Sequence, residues 1–187
     1  MEKLNRVAFP LIVAYLWIIM ILFGAVVLET FMIYPNIFRD PPQSLGLAME
    51  FLSVRTPGDF FPPLGFLSWV TGLGALVAVW RDKPVRWWVA LSLLMIASDG
   101  VASILLFWPR NTIMFTEGLA VHSAAILQQT AWEFQTLHWL RLAFNAASAV
   151  AIFAGFLVYY RQRILDRPAS LRAQSAPGDR RQEMAPV

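Results

Sequence analysis

Three ionisable residues lie within or at the edge of long apolar stretches of this 187-residue chain, and they are its best candidates for chemistry. Glu29 is near the end of the first stretch, Asp99 is in the third and Arg141 is in the fourth. A charge among lipid tails costs at least ~2.5–3.5 kcal/mol, so such residues usually face one another or a wet cavity. A carboxylate can remove a proton and a guanidinium can hold a developing oxyanion. The pattern therefore predicts a buried polar site.

Further polar residues recur on one helical face of the third and of the fourth stretch: Ser92, Asp99, Ser103, Arg141, Asn145 and Ser148. Residues three, four or seven apart share a helix face, so two polar stripes should meet inside the bundle. At a rise of about 1.5 Å per residue, Asp99 lies ~13 Å below the outer end of its helix, and Glu29, His138 and Arg141 lie in outer turns. We expect a pocket in the outer half, opening outward or sideways. Its floor would be Asp99 and Asn145.

Each of these residues also has a purely structural interpretation. Glu29 and Arg141 could form an ion pair that only locks two helices together, and Asp99 could only accept hydrogen bonds from serines or Asn145. His138 could be an interfacial hydrogen-bonding residue.

Four residues are of a type that can bind a metal ion: Glu117, His122, Glu133 and His138. They lack a compact ligand spacing such as HExxH. We therefore predict no metal ligands, and the sequence does not identify a cofactor.

Composition excludes an ordinary soluble domain. The apolar fraction is 58% and the charged fraction 14%, against roughly 45–50% and 25% in soluble proteins. The absence of cysteine excludes disulfides, thiolate metal sites and cysteine nucleophiles. The net charge of +3 equals the excess of arginine over acidic residues after Tyr160. It is therefore a property of the tail, and we expect no nucleic-acid partner.

Four apolar runs, at residues 7–34, 64–80, 85–108 and 137–160, are each close to the ~20 residues that cross a bilayer. They predict an all-α integral membrane four-helix bundle in residues 1–165 with two long outer loops, 35–63 and 109–136. The first loop should contain a short helix at 44–53. The second should contain an amphipathic lid helix at 117–135 lying on the outer leaflet. Residues 166–187, rich in Pro, Arg, Ser, Gln and Ala, predict a disordered basic cytoplasmic tail.

Basic residues set the expected orientation. Lys3, Arg6, Arg81, Lys83, Arg86 and the tail arginines fall on one side of this topology. Positive residues mark the cytoplasmic side, so both termini should be cytoplasmic, in a bacterial inner (plasma) membrane.

Several short segments together resemble a known family. They are LETFMIYP at 28–35, PPQSL at 41–45, WPRN at 108–111, Trp132 and LHWLR at 137–141. In order and spacing, over about residues 7–160, they resemble the anthrone oxygenase-like family of small four-helix membrane proteins. Many relatives have a Pro-x-Asn-Asn run where this chain has Asn111 followed by Thr112.

The resemblance implies a membrane oxidoreductase or oxygenase that oxidises an anthrone with O₂ to an anthraquinone, without flavin or haem. A base and an oxyanion clamp would suffice for such a flat, apolar substrate. The candidates are Glu29 or His138 as base, Arg141 with Asn111 as clamp, and three aromatic walls: Trp108, Trp132 and Trp139. Tryptophans at these positions also suit interfacial anchoring.

The alternative function is a non-catalytic accessory membrane subunit or lipid-binding protein whose polar cluster is structural. Expected partners are membrane lipids and a small apolar substrate, with the chain acting as a homo-oligomer or within a larger membrane complex.

Overall fold

The computed structural model describes residues 2–174, with side chains from residue 7 to residue 163, and all regular structure in this part of the chain is helical. Four helices are long and apolar enough to cross a membrane: Val7–Ile37, Pro57–Ala78, Lys83–Val121 and Ala124–Arg163. The predicted all-α integral membrane four-helix bundle is thereby confirmed. We refer to these helices as the first to fourth spans.

Two of the spans are interrupted by π-helical turns. The first span comprises α1 (Glu2–Leu28), π1 (Glu29–Ile33) and α2 (Tyr34–Ile37). The third comprises α5 (Lys83–Ala102), π2 (Ser103–Phe107), α6 (Trp108–Asn111), π3 (Thr112–Glu117) and α7 (Gly118–Val121). The second span is α4 (Pro57–Ala78), the fourth is α8 (Ala124–Gln174), and a short α3 (Gln43–Phe51) links the first two spans, close to the predicted 44–53 helix.

Local capping explains where the second and third spans begin. Thr56 and Asp59 form a reciprocal capping box, with the Thr56 backbone amide donating to Asp59 Oδ2 over 2.8 Å, and Pro57 follows at the first helical position. The second span therefore begins before the predicted residue 64. Asp82 caps the third span by accepting the Val85 amide.

The second predicted outer loop, 109–136, is helical instead, and the predicted helix at 117–135 is divided at residues 122 and 123 between the ends of the third and fourth spans. The third and fourth spans, 39 and 40 residues long, continue through this region and meet at a tight turn beside His122. At about 1.5 Å per α-helical residue, each is longer than the ~30 Å hydrocarbon core. The two spans are therefore long enough to extend beyond the membrane at the end that carries this hairpin, which we call the distal end. The opposite end, with the turn at residues 79–82, is the basic end.

Burial explains why this hairpin is helical. Leu127, Ala131 and Phe134 of the fourth span pack against Phe107 and Met114 of the third, forming a distal core that is separate from the main one. If residues 117–135 formed a separate lid helix on the leaflet, the apolar faces of the third and fourth spans in this region would not be buried against each other.

The main core lies towards the basic end, where Ile12, Ile19, Val89 and Ile152 are essentially inaccessible. A buried hydrogen-bond chain crosses it. The Tyr15 hydroxyl is 3.0 Å from Ser92 Oγ, which is 2.9 Å from Ser148 Oγ. The two predicted polar stripes thus meet in the bundle interior.

The fourth span also extends past its predicted end at residue 160, because α8 continues to Gln174. Of the predicted disordered tail, residues 166–174 are helical, and residues 175–187 lie outside the described residues.

Candidate functional site

A cavity of about 230 Å³ lies where the main core meets the distal core. All four spans contribute to its wall, which combines aromatic and aliphatic side chains with Asp99, Ser103, Arg141 and Asn145. An apolar pocket with a few convergent polar groups is the usual form of a small-molecule site.

The Asp99–Arg141 ion pair is the polar centre of this cavity. Arg141 Nε is 3.5 Å from Asp99 Oδ1, and the two side chains are only 12% and 10% exposed. They come from the third and fourth spans, which pack very closely towards the basic end. A Cβ at Gly155 would lie 2.9 Å from Trp88 Cβ. This contact aligns the two polar faces.

The Arg141 guanidinium is also held by two aromatic rings. Its Cζ atom is 4.8 Å from the ring centre of Phe61 and 5.5 Å from that of Phe107, within cation–π range. One turn further along, Asn145 Nδ2 donates to the Arg141 carbonyl over 3.0 Å, and its side chain lies beside Asp99. Arg141 is therefore fixed in position by the Asp99 carboxylate and the two rings.

Glu29 does not form the ion pair with Arg141 that its depth suggested, because Asp99 takes that place. The Glu29 side chain is 7% exposed and lies beside the Tyr34 hydroxyl, with Arg141 nearby. It is the first residue of π1, as Ser103 is of π2. π-helical turns inside α-helices are frequent at functional sites.

His138 lies behind the cavity, in the distal core. It is 2% exposed and packs edge-on against Tyr34 at 4.6 Å between ring centres, and parallel to Phe134 at 6.3 Å. Phe107 completes this aromatic cluster. His138 does not line the cavity wall.

Two buried polar atoms of this region, Glu29 Oε2 and Ser103 Oγ, have no hydrogen-bond partner within the described part of the chain, and Asp99 Oδ1 and Arg141 Nε face only each other in the ion pair. Buried polar atoms are normally paired, so a concentration of unpaired ones needs a functional or structural reason. The Ser103 hydroxyl can donate to a ligand oxygen, whereas the Glu29 carboxylate can only accept a hydrogen bond from a ligand.

The predicted site residues fall into two groups. Arg141, Asp99, Asn145 and Trp108 line the cavity. Glu29 and His138 lie next to it, whereas Asn111 is in the distal hairpin and Trp132 and Trp139 are 67% and 57% exposed on the bundle surface. Asn111, Trp132 and Trp139 are not brought to the cavity.

The sequence reasoning missed the contribution of the second span, which carries no buried charge to draw attention. Phe61, Phe66 and Trp69 line the cavity from this side. The one sequence feature that pointed to this contact is the glycine at position 100 of the third span. A Cβ there would lie 2.4 Å from Trp69 Cζ2, so only glycine leaves room for the indole.

The four residues of metal-binding type lie apart from one another in the structure. Glu117 and His122 contact each other at the distal turn, and Glu133 accepts from Arg110 Nη2 over 2.9 Å. Among the residues whose side chains are described, no three His, Asp or Glu groups are placed to hold a metal ion.

Comparison with known proteins adds no assignment. No protein-family model, no curated protein and no solved structure matches this chain. The case for a function therefore depends on the chemistry of the cavity.

Proposed function

We propose that this protein is a membrane oxidoreductase of the anthrone oxygenase-like type, acting on a small apolar, polycyclic or quinone-like substrate. The observation that carries the proposal is the cavity itself, which places the Asp99–Arg141 pair among the aromatic walls of Phe61, Trp69 and Trp108. A flat aromatic ketone matches this combination of apolar surface and one polar end.

The proposed location is the bacterial inner membrane, with both termini in the cytoplasm and the distal end outside. Arg81, Lys83 and Arg86 at the basic end support this orientation. Asp99 is ~24 Å along its helix from Lys83 at about 1.5 Å per residue, so the cavity lies in the outer half of the bundle. Membrane lipids are then the immediate partners, and the chain acts as a homo-oligomer or within a larger membrane complex.

The reaction converts an anthrone and O₂ into an anthraquinone and water. A carboxylate removes one proton from the methylene carbon, and the electron pair of the broken C–H bond moves towards the carbonyl oxygen. The carbanion then forms a C–O bond with O₂, which is reduced to a hydroperoxide after protonation. Loss of water from this hydroperoxide gives the second carbonyl.

We assign proton removal to Asp99, because it is the carboxylate among the described residues of the cavity wall. Arg141 stabilises the developing oxyanion, since its positively charged guanidinium lies in the cavity wall and is fixed by two rings. Asn145 supports Arg141 from one turn away. Glu29 is the nearest alternative base, because it lies buried beside Arg141.

The test is oxygen uptake by the purified protein with a panel of anthrones and hydroquinones. Arg141→Lys keeps the charge but loses the planar fork of donors, and we expect activity to fall by roughly 10²–10³, as after loss of an oxyanion donor. The matched control is Arg110→Lys, because Arg110 pairs with Glu133 in the distal hairpin, away from the cavity. Uptake no higher than that of empty membranes with every substrate would refute the proposal.

A second candidate is an accessory subunit or lipid-binding protein. It is favoured by the exposed apolar side chains in and after α3, where Leu47, Phe51 and Val54 are 68%, 82% and 87% exposed. Such a patch suits contact with another membrane component. Absence of oxygen uptake, together with retention of a specific subunit or lipid through purification, would favour this function.

A further inference from the structure

We infer that the cavity receives its ligand sideways from the lipid, through a portal between the second and third spans. The portal is defined by Phe66, Ile104 and Trp108. The ligand we assign to it is a membrane-dissolved flat aromatic ketone or quinone whose oxygen points inward. The class of ligand in this inference rests on the proposed function. The route of entry does not require that the ligand is oxidised.

The portal residues belong to the cavity and to the bundle surface at once. Phe66, Ile104 and Trp108 line the cavity, yet they are 68%, 46% and 51% exposed. In an integral membrane bundle, an exposed side chain at hydrocarbon depth faces lipid. The cavity therefore has an apolar opening on the lipid-facing surface.

The depth of the opening agrees with this. Trp80 and Trp87 flank the Arg86 guanidinium at the basic end, as residues of a membrane interface do. At about 1.5 Å per residue, Phe66 lies ~21 Å from Trp80 and Ile104 ~26 Å from Trp87. Both distances fall within the ~30 Å hydrocarbon core, in the half remote from the basic end.

The route along the bundle axis from the distal end is closed. The aromatic cluster of Phe107, Phe134 and His138 lies between Arg141 and the distal hairpin, and each side chain is 2% exposed or less. Towards the basic end, Trp69 packs directly against Gly100. The opening beside Phe66 and Ile104 thus lies between two packed regions.

The arrangement also orients the ligand. Phe66 and Ile104 offer apolar surface at the mouth, beside the Trp108 indole, whereas the unpaired Ser103 hydroxyl and the Asp99–Arg141 ion pair lie further in. A flat aromatic molecule with one carbonyl end would leave its hydrocarbon part at the mouth and place its oxygen at Arg141.

The absence of cysteine permits a direct accessibility test. Ser103→Cys introduces one thiol within the cavity, and Leu94→Cys introduces a reference thiol on the same span, 60% exposed and outside the cavity wall. In proteoliposomes, both should react with membrane-dissolved N-(1-pyrenyl)maleimide. Neither should react readily with a charged, water-soluble methanethiosulfonate.

Narrowing the mouth of the cavity should slow the labelling of the cavity thiol only. In the Ser103→Cys background, Ile104→Trp should slow pyrenylmaleimide labelling severalfold, whereas Val101→Trp, a lipid-facing control outside the cavity wall, should not. Unreactive anthraquinone should protect Ser103→Cys but not Leu94→Cys. Rapid labelling of Ser103→Cys by the charged reagent, or no effect of Ile104→Trp, would overturn the portal.

Two further outcomes separate the portal from the proposed reaction. Protection by anthraquinone without oxygen uptake would retain the portal and its ligand and refute the oxidation. Protection by a long-chain fatty acid but not by anthraquinone would overturn the aromatic ligand and indicate a lipid acyl chain.

Discussion

At the scale of single residues, the proposed chemistry depends on a guanidinium that is buried within a membrane bundle. Arg141 is tolerated there because Asp99 supplies the opposite charge and Phe61 and Phe107 supply the faces of two rings. The sequence identified both charged residues, because charges are conspicuous in apolar runs. It could not identify which carboxylate pairs with Arg141. That choice depends on how the spans pack, and depth alone favoured Glu29.

The coupling of this pair is testable by stability. Asp99→Asn or Arg141→Met alone leaves a buried polar or charged partner uncompensated, and we expect each to destabilise the protein by roughly 3–5 kcal/mol. The double variant should recover much of that loss, because both charges are then absent. Thermal unfolding in detergent is the measurement. Strict additivity of the two single effects would show that the side chains do not interact.

A second residue-scale prediction concerns the contact of Gly100 with Trp69. Gly100→Ala would put a methyl group 2.4 Å from Trp69 Cζ2, so the indole must move, at a cost of roughly 1–3 kcal/mol for overpacking. We expect a lower Tm and weaker anthraquinone protection of a cavity thiol. Trp69→Phe should restore the Tm of the Ala variant, since the clashing atom is removed.

The control for this test is Gly24→Ala, because a Cβ at Gly24 meets no atom within 4 Å. It should leave the Tm unchanged or raise it slightly, as replacement of an interior helical glycine does. An equal decrease in both variants would contradict the proposed clash.

At the scale of elements, the existence of the spans was predictable from their apolar composition, and their lengths were not. Residues 109–136 carry enough polar residues to suggest a loop, and Pro109 suggests a helix end. Pro109 is instead accommodated near the start of α6, directly after π2. The helical hairpin forms because its two halves bury each other, as Met114 and Leu127 do in the distal core. Local sequence patterns do not record such mutual burial.

The end of this hairpin provides an element-scale prediction. Gly118 has φ of +51° and ψ of −146°, a conformation that side chains rarely adopt. We expect Gly118→Ala to destabilise the hairpin by roughly 1–3 kcal/mol. Hydrogen exchange of amides in the hairpin should increase while that of the main core does not.

Gly46→Ala is the comparison for Gly118→Ala, because Gly46 is helical, exposed and free of close contacts. It should be neutral or mildly stabilising. Equal protection of the hairpin amides in Gly118→Ala and wild type would show that this glycine does not constrain the turn.

At the scale of the whole molecule, the cavity lies at the boundary between two cores that are built from different sets of helices. Towards the basic end, four apolar helices pack as a membrane bundle. Beyond the cavity, the two longest spans form the distal core with the end of the first span and α3. The sequence identified most polar groups of the site because they are rare in such a chain. Of the aromatic walls it identified Trp108 but not those of the second span, since Phe66 and Trp69 are indistinguishable from lipid-facing residues until the packing is known.

The orientation of the whole molecule determines from which leaflet the ligand enters the portal. Positive residues at the basic end predict that this end is cytoplasmic. We therefore expect Ser123→Cys at the exposed distal turn to react with a membrane-impermeant maleimide in intact cells. Lys83→Cys should react only after permeabilisation. Both positions are exposed, so a difference in labelling reports sidedness rather than burial. The reverse labelling pattern would mean that the protein has the opposite orientation. The cavity lies in the half remote from the basic end, so its ligand would then enter from the cytoplasmic leaflet.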